Sequence, residues 1–305
     1  MNLRDLEYLV AVADHRHFGR AAEACFASQP TLSTQIRKLE TELGVELIER
    51  NPRRITLTEA GNAVVEHART ALAETSKIRA LAQQTVDPEA GSIRIGIFHT
   101  LAPYLLPHVV PALNERFPRL ELLLVEDKTD ALVARLLEGT LDAGMFAQPI
   151  HAGNLHAEPL FYEQFVLAAP RGHALVADDT PIGVDALAGE DLLLLEEGHC
   201  LRDQALDVCR LTGAAERRGF RATSLATLAQ MVSAGVGVTL LPELAVRPPV
   251  PENPRIVLRR FTAPVPHRSI ALFWRPTSVY RELLPEVAEV VRAQVTPLLE
   301  HDEDA

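Results

Sequence analysis

Apolar and polar positions change their period along the chain, and each change marks an element. In the first 60 residues Leu6, Leu9, Val10 and Ala13 recur at helical spacing, and a second short helix follows at 19–25. Leu32, Ile36, Leu39 and Leu43 then stand at i, i+4, i+7 and i+11, which predicts a third helix with one apolar stripe. Ser28 suits its N-cap, Pro30 suits its first turn, where a missing N–H costs nothing, and Gly44 ends it. Residues 45–58 alternate around Asn51-Pro52-Arg53-Arg54 and predict a hairpin or wing. From Leu57 to about Val86 the pattern is one long alanine-rich helix without proline. Leu57, Val64, Ala71 and Ile78 recur every seven residues, with Ala68, Thr75 and Ala82 four positions after the last three. That is a seam for a partner helix, or else the face of an amphipathic helix packed on its own domain. Asp87-Pro88-Glu89-Ala90-Gly91 reads as a linker.

Beyond Gly91 strands and helices alternate. Strands are expected at 93–98, 120–126, 142–147, 165–169, 192–196, 238–241 and 270–274. Helices are expected near 103–116, 131–138, 201–211, 225–234 and 279–299. Such alternation implies an α/β domain with a largely parallel sheet. The division is then residues 1–58, a linking helix and hinge at 59–90, a large domain at 91–300, and a frayed acidic tail at 301–305.

Composition narrows the class. The 305 residues are 47% hydrophobic, too apolar for low-complexity disorder, and their length suits about two domains. No apolar run reaches the ~18 residues of a membrane span. The best imitation, from Tyr104 to Leu113, is broken by Pro107, His108 and Pro111, so no membrane partner is expected. Met1-Asn2-Leu3-Arg4-Asp5 lacks the apolar core of a secretory signal. Three cysteines are too few for a disulfide framework and fit a reducing cytoplasm. The net charge of −11 speaks against a nonspecific nucleic-acid coat protein, so any basic surface must be local.

Two local basic clusters exist. Arg37 and Lys38 stand with no acid in 28–39, and Arg50, Arg53 and Arg54 with none in 50–58. A recognition helix needs an apolar docking face and a polar or basic outward face, and residues 29–43 have both. Gln29, Pro30, Thr31, Ser33, Thr34, Arg37 and Lys38 are the candidate DNA-reading positions, with Arg50, Arg53 and Arg54 to hold phosphates. The plain alternative is a solvated helix face, and His15 and His17 nearby read as surface or packing residues.

The second cluster is Gly198-His199-Cys200-Leu201-Arg202-Asp203-Gln204, followed by Cys209. Cys200 falls at a predicted helix start, where unpaired N–H groups, and any nearby cation, favour a thiolate. Cys209, within that helix, is on its residue type alone a small buried hydrophobe, and Cys25 reads as core. Zinc held by His199, Cys200 and Cys209 is a poor fit, since adjacent ligands are awkward and a fourth is not apparent. No metal or cofactor is expected.

Phe18-Gly19-Arg20-Ala21-Ala22, Ser28-Gln29-Pro30-Thr31-Leu32-Ser33, Ile36-Arg37-Lys38-Leu39-Glu40 and Leu57-Thr58-Glu59-Ala60-Gly61 closely resemble the winged helix-turn-helix of LysR-type transcriptional regulators. Gly235-Val236-Gly237-Val238-Thr239-Leu240-Leu241-Pro242 resembles their effector domain. The resemblance implies a winged helix-turn-helix, a dimerising linker helix, and a two-subdomain α/β effector domain like the periplasmic binding proteins. The subdomains fall at 92–164 with 268–300, and at 165–267. The Cys200 segment, Phe220-Arg221-Ala222-Thr223-Ser224-Leu225, Arg4-Asp5-Leu6-Glu7-Tyr8 and Pro103-Tyr104-Leu105-Leu106-Pro107-His108 resemble the peroxide-sensing members of that family nearly end to end.

By that likeness hydrogen peroxide is the signal, Cys200 reacts with it and Cys209 closes a disulfide. Thr100, Thr129, His199 and Gln204 match polar pocket positions, and Arg268 a basic residue near the sulfur. The partners implied are double-stranded promoter DNA, further copies of the chain as a dimer of dimers, RNA polymerase, and a thiol reductant for recycling. His99 stands where proline is expected, and reads as a satisfied residue at a strand end. Nine residues of helix advance about 13.5 Å, against the ~7 Å limit between the Cα atoms of a disulfide, so the pairing requires unwinding.

Three other readings compete. A LysR-type regulator of a small organic effector shares everything except the cysteine chemistry. A thiol peroxidase shares that chemistry but leaves the N-terminal unit unexplained, and a transport binding protein needs a signal peptide. The expectation is a transcription factor, not an enzyme.

Overall fold

Local side-chain chemistry fixes the element boundaries of the N-terminal unit. A computed structural model describes residues 1–51, 54–86 and 89–299. Pro52, Arg53, Asp87, Pro88 and residues 300–305 lie outside it, and with them part of the expected linker and the whole acidic tail. The chain divides into two units, the first of which is Met1–Val86 together with Glu138–Thr140. It contains α1 (Leu3–His15), α2 (Phe18–Ala24), α3 (Gln29–Leu43), β1 (Ile48–Asn51), β2 (Arg54–Leu57) and α4 (Glu59–Val86). Asn2 and Asp5 form a reciprocal capping box on α1, and the Ser28 hydroxyl accepts from Thr31 N–H at 3.2 Å to start α3. Leu9, Val12, Leu32, Ile36, Leu39 and Leu47 close a common core, on whose edge Cys25 packs. β1 and β2 pair as the expected antiparallel wing.

Two details explain the Thr58–Gly61 signature. The Thr58 hydroxyl accepts from Gly61 N–H at 2.9 Å and donates to the Glu46 carbonyl at 2.7 Å, capping α4 against the wing. A side chain at Gly61 would place its Cβ 2.0 Å from the Leu47 carbonyl oxygen, so only glycine fits. From α3, Glu40 reaches the same joint and accepts from Leu47 and Ile48 N–H at 2.9 and 3.2 Å.

The seam of α4 divides. Val64 and Val65 pack on the core of their own unit and Ala68 is buried, whereas Ile78 is 66% exposed. The seven-residue repeat therefore serves the chain's own fold at its start and leaves an apolar position free further on.

Phe26, in the turn between α2 and α3, is 98% exposed at φ +51°. A bulky residue there bears left-handed strain without burying anything. Phe26→Asn is expected to stabilise the N-terminal unit by about 1 kcal/mol in urea unfolding, because asparagine tolerates that conformation. A loss of stability would mean that the ring has a packing role.

The second unit contains β3 (Gly91–Phe98), α5 (Ala102–Arg116), β4 (Leu120–Asp127), α6 (Thr129–Glu138), β5 (Ala143–Ala147), β6 (His156–Pro170), β7 (Asp191–Leu195), α7 (Cys200–Thr212), β8 (Ala215–Ala222), α8 (Leu225–Ser233), β9 (Thr239–Pro242), β10 (Ile256–Arg259), β11 (His267–Trp274) and α9 (Leu284–Leu299). The large sheet runs β10-β6-β11-β5-β3-β4, with β9 also on β6. The expectation of a largely parallel sheet is overturned. β3 runs parallel to β4 and β5, but β11 is antiparallel to β5 and β6, and β6 is antiparallel to β9 and β10. The cause is that β11 returns from the far subdomain and enters the sheet in reverse. β6 was expected only at 165–169, yet it spans 15 residues. Its residues up to Gln164 pair with β11, and those from Phe165 onward pair with β9 and β10. One strand thus joins the two subdomains at the boundary that the family resemblance implies. β7 and β8 form a separate parallel pair beneath α7.

Candidate functional site

The site grows from the end of β7. Leu192 to Leu195 are buried, and the next residues, Glu196 to His199, turn the chain into α7. Gly198 sits at φ +89°, and a Cβ there would lie 3.1 Å from Lys128 Cδ. This close approach lets the Lys128 ammonium donate to Glu196 Oε1 at 2.9 Å and to the Glu197 carbonyl at 3.0 Å. His199 occupies the N-cap position without a side-chain cap bond, is buried, and meets the His99 ring edge-on at 5.7 Å between centroids. Burial, then the charge of Lys128, push the His199 imidazole below its ordinary value, so it is neutral near pH 7.

Cys200 opens α7. Arg268, the Thr129 hydroxyl, the Leu201 backbone N–H and the Thr100 hydroxyl all act on its sulfur. Each favours the thiolate, yet burial outweighs them and the thiol is pushed up. The expectation of a thiolate at the helix start is therefore corrected for this conformation: desolvation wins over the dipole and the cation. Arg268 is at the same time bound on its other sides. Its Nε donates to Glu163 Oε2 at 2.7 Å, with both side chains at 0% exposure. Its Nη1 and Nη2 donate to the Thr100 hydroxyl and carbonyl at 3.2 and 3.1 Å. The other Glu163 oxygen accepts from Leu244 N–H at 2.8 Å. Arg268 and Glu163 are cross-strand partners in the register of β11 on β6.

Two buried polar atoms near this sulfur, and one on the His99 ring beside His199, have no hydrogen-bond partner. They are Thr129 Oγ1, Gln204 Oε1 one helical turn beyond Cys200, and His99 Nδ1. His99 is thus not the satisfied strand-end residue expected. Cys209 lies on the same unbroken helix, buried with Leu201, Ala205 and Val208, and burial raises its thiol as well. Both cysteines are free. Arg202 fastens the first turn of α7, donating to both Glu216 carboxylate oxygens at 2.8 Å each and to the Leu195 carbonyl at 3.0 Å.

Thr100, Thr129, His199 and Arg268 therefore come together with Cys200, and Gln204 stands on the same helix. Sequence reasoning missed Glu163, Lys128 and the Arg202–Glu216 pair. An acid inside the apolar run of 160–169 was a signal for Glu163, but only the strand register reveals its partner.

In the N-terminal unit, α3 buries Leu32, Ile36, Leu39 and Glu40 and exposes Gln29, Pro30, Thr31, Thr34, Arg37 and Lys38, with Ser33 half-buried. Arg53, and the side chains of Arg50 and Arg54, lie outside the described residues. Among the described residues no group of three or more His, Cys, Asp or Glu side chains could hold a metal ion. No helix among them is long and apolar enough to cross a membrane.

Residues 3–62 match the bacterial regulatory helix-turn-helix of the lysR family, and residues 87–296 match the LysR substrate binding domain. The chain is 48% identical over 295 residues to the DNA-binding transcriptional dual regulator OxyR of Escherichia coli K12, covering 97% of this chain and 96% of that one. The chain belongs to the OxyR group of LysR-family regulators.

Two solved OxyR structures share its fold. A full-length OxyR variant from Pseudomonas aeruginosa is 36% identical with a TM-score of 0.75, covering 100% of this chain and 99% of that one. A peroxide-bound OxyR mutant from Corynebacterium glutamicum is 34% identical with a TM-score of 0.66, covering 98% and 95%. OxyR relatives are transcription regulators rather than enzymes, which fits a chain whose helix-turn-helix match contains all of α3.

Proposed function

We propose that Cys200 is the peroxide-reacting residue of this peroxide-sensing DNA-binding regulator, and that Cys209 resolves the product into a disulfide. The observation that carries this reading is the surround of the Cys200 sulfur. Two threonine hydroxyls, a backbone N–H and a buried guanidinium act on it, and Thr129 Oγ1 and Gln204 Oε1 are buried acceptors in want of donors. Hydrogen peroxide offers two O–H donors and two acceptor oxygens, and it is small enough for a site on a half-buried thiol. Attack of the thiolate breaks the O–O bond and gives a sulfenic acid and hydroxide, which takes up the proton released by the thiol to become water. Condensation with the Cys209 thiol then forms S–S and releases a second water. A thiol reductant returns both cysteines. Mass analysis of reduced protein after one equivalent of peroxide tests this: a stoichiometric 200–209 disulfide, two hydrogens lighter, supports the sensor. Sustained peroxide turnover with a reductant would favour a thiol peroxidase instead, and no change at Cys200 would overturn the reading.

The DNA-reading residues proposed are Gln29, Pro30, Thr31, Ser33, Thr34, Arg37 and Lys38, with Arg50, Arg53 and Arg54 on phosphates. The exposed polar face of α3 supports them. Binding to promoter DNA is expected to weaken as salt rises, and Arg37→Ala or Lys38→Ala to lower the log–log salt slope by about 0.9 if each contacts one phosphate. Gel shifts at several salt concentrations measure it. A slope unchanged in the double variant would remove both from the phosphate contacts.

The boundaries 1–58, 59–90 and 91–300, a dimer of dimers, contact with RNA polymerase and a cytoplasmic site of action complete the proposal. The exposed Ile78 supports dimerisation along α4. Ile78→Asp is expected to shift sedimentation toward the monomer by forcing a charge into the seam, and an unchanged oligomer would place the interface elsewhere. Val64 is the poorer probe, because it packs in its own unit.

A further inference from the structure

Resting on the Cys200 reading, we propose that His99 acts with His199 as an imidazole pair that takes the proton of the Cys200 thiol and delivers it to the oxygen that leaves peroxide. The chemistry requires such a carrier. Cys200–SH plus HO–OH gives Cys200–SOH plus water: an S–O bond forms, the O–O bond breaks, and two electrons pass from sulfur to peroxide. The departing hydroxide must collect the proton that the thiol gave up. Burial keeps that proton on the sulfur, and the guanidinium that would expel it is bound to Glu163. An imidazole placed beside the site as a proton carrier resolves the difficulty.

His99 is such a base by position. It directly precedes Thr100, whose hydroxyl acts on the Cys200 sulfur, at the point where β3 ends. Its Nδ1 is buried with no hydrogen-bond partner, an expense that a packing residue has no reason to bear. Its ring lies edge-on to that of His199, which immediately precedes Cys200. Lys128 and Glu196 are the charged groups that face His199 from the start of α6 and the end of β7. Lys128 opposes a positive imidazole while Glu196 supports one, and burial tips the balance to the neutral form. Arg268, on the β11 side, is spent on Glu163 and Thr100.

Rapid-mixing oxidation of the reduced full-length protein by hydrogen peroxide, read as Cys200 sulfenic acid trapping and disulfide formation across pH, tests the assignment. His99→Ala is expected to slow oxidation about 100-fold near neutrality, the lower range for general acid–base catalysis. The deficit should shrink as alkali begins to ionise the thiol directly, and added free imidazole should restore part of the rate to His99→Ala but not alter the parent. His99→Gln, which keeps hydrogen bonding but carries no proton, should be as slow as His99→Ala, and it serves if the alanine variant fails to fold. A full rate in either variant overturns the proposal. So does a loss that is equal at every pH and unmoved by imidazole, which marks a structural role. If the parent protein itself is not oxidised at Cys200, the site reading falls and this one with it; if only the variants behave as the parent does, His99 alone is wrong.

Discussion

Cys200→Ser protein is expected to keep one and the same DNA footprint before and after peroxide, whereas the parent changes its footprint. The reason is geometric. Cys200 and Cys209 stand at two points of one continuous helix, Cys200–Thr212. Nine residues of helix separate their backbones by about 13.5 Å, beyond the ~7 Å that a disulfide spans. A bond between them therefore requires α7 to unwind and to withdraw Leu201, Ala205, Val208 and Cys209 from the core they share with β7 and α8. The Arg202–Glu216 pair, which ties the first turn of α7 to β8, must break or move with it. Such a bond would exchange one packed arrangement for another, the kind of discrete two-state change that a DNA-binding domain can report. Without the Cys200 sulfur neither sulfenic acid nor disulfide forms. Cys209→Ser should form the sulfenic acid, trapped by a dione reagent, but lose the stable disulfide. A peroxide-dependent footprint in Cys200→Ser protein would end this mechanism while leaving the family assignment intact.

Glu163→Ala is expected to destabilise the effector unit by about 3–5 kcal/mol, since it leaves the Arg268 guanidinium buried without its counter-charge. The variant should also make Cys200 more acidic. With Glu163 gone, the positive charge of Arg268 acts on the sulfur unopposed, and the thiol that burial now holds up should titrate at lower pH. Glu163→Gln separates the two effects: it can keep one bond to Leu244 N–H and lose less stability, yet it removes the same negative charge. Urea unfolding measures the first effect, and thiolate absorbance against pH the second. Wild-type stability in Glu163→Ala, or an unmoved Cys200 titration in both variants, would show that Arg268 is neutralised by other groups.

Much of this molecule is legible in one dimension because its signals are local. The N-terminal helices follow from the i, i+4, i+7, i+11 stripe of Leu32, Ile36, Leu39 and Leu43, and from Ser28 and Gly44, whose effects reach no further than one helical turn. The Thr58–Gly61 signature is legible as a motif, but its cause, a Leu47 carbonyl 2.0 Å from any Cβ at Gly61, belongs to the packing of helix on wing. The strands of the effector unit were found where apolar runs are dense, such as 192–195. They were missed where the run is charged, as in β8 with Arg217, Arg218 and Arg221, because a β8 residue draws its pairing from β7 rather than from its own pattern.

The sequence by itself determined the class of protein, the position of the third helix of the N-terminal unit, and the helix that carries Cys200 and Cys209. Spacing and caps act through neighbours in the chain, and the motifs are contiguous. Tertiary structure alone decided the direction of β11 and the length of β6, and through their register the meeting of Arg268 with Glu163 across 105 positions. It alone brought Thr100 and Thr129 to the sulfur of Cys200 and His99 against His199, and it alone reversed the expected acidity of that thiol. A helix start and a nearby cation can be read from residue types, but desolvation is a property of everything packed around the sulfur, and a cation's pull depends on what else already holds it.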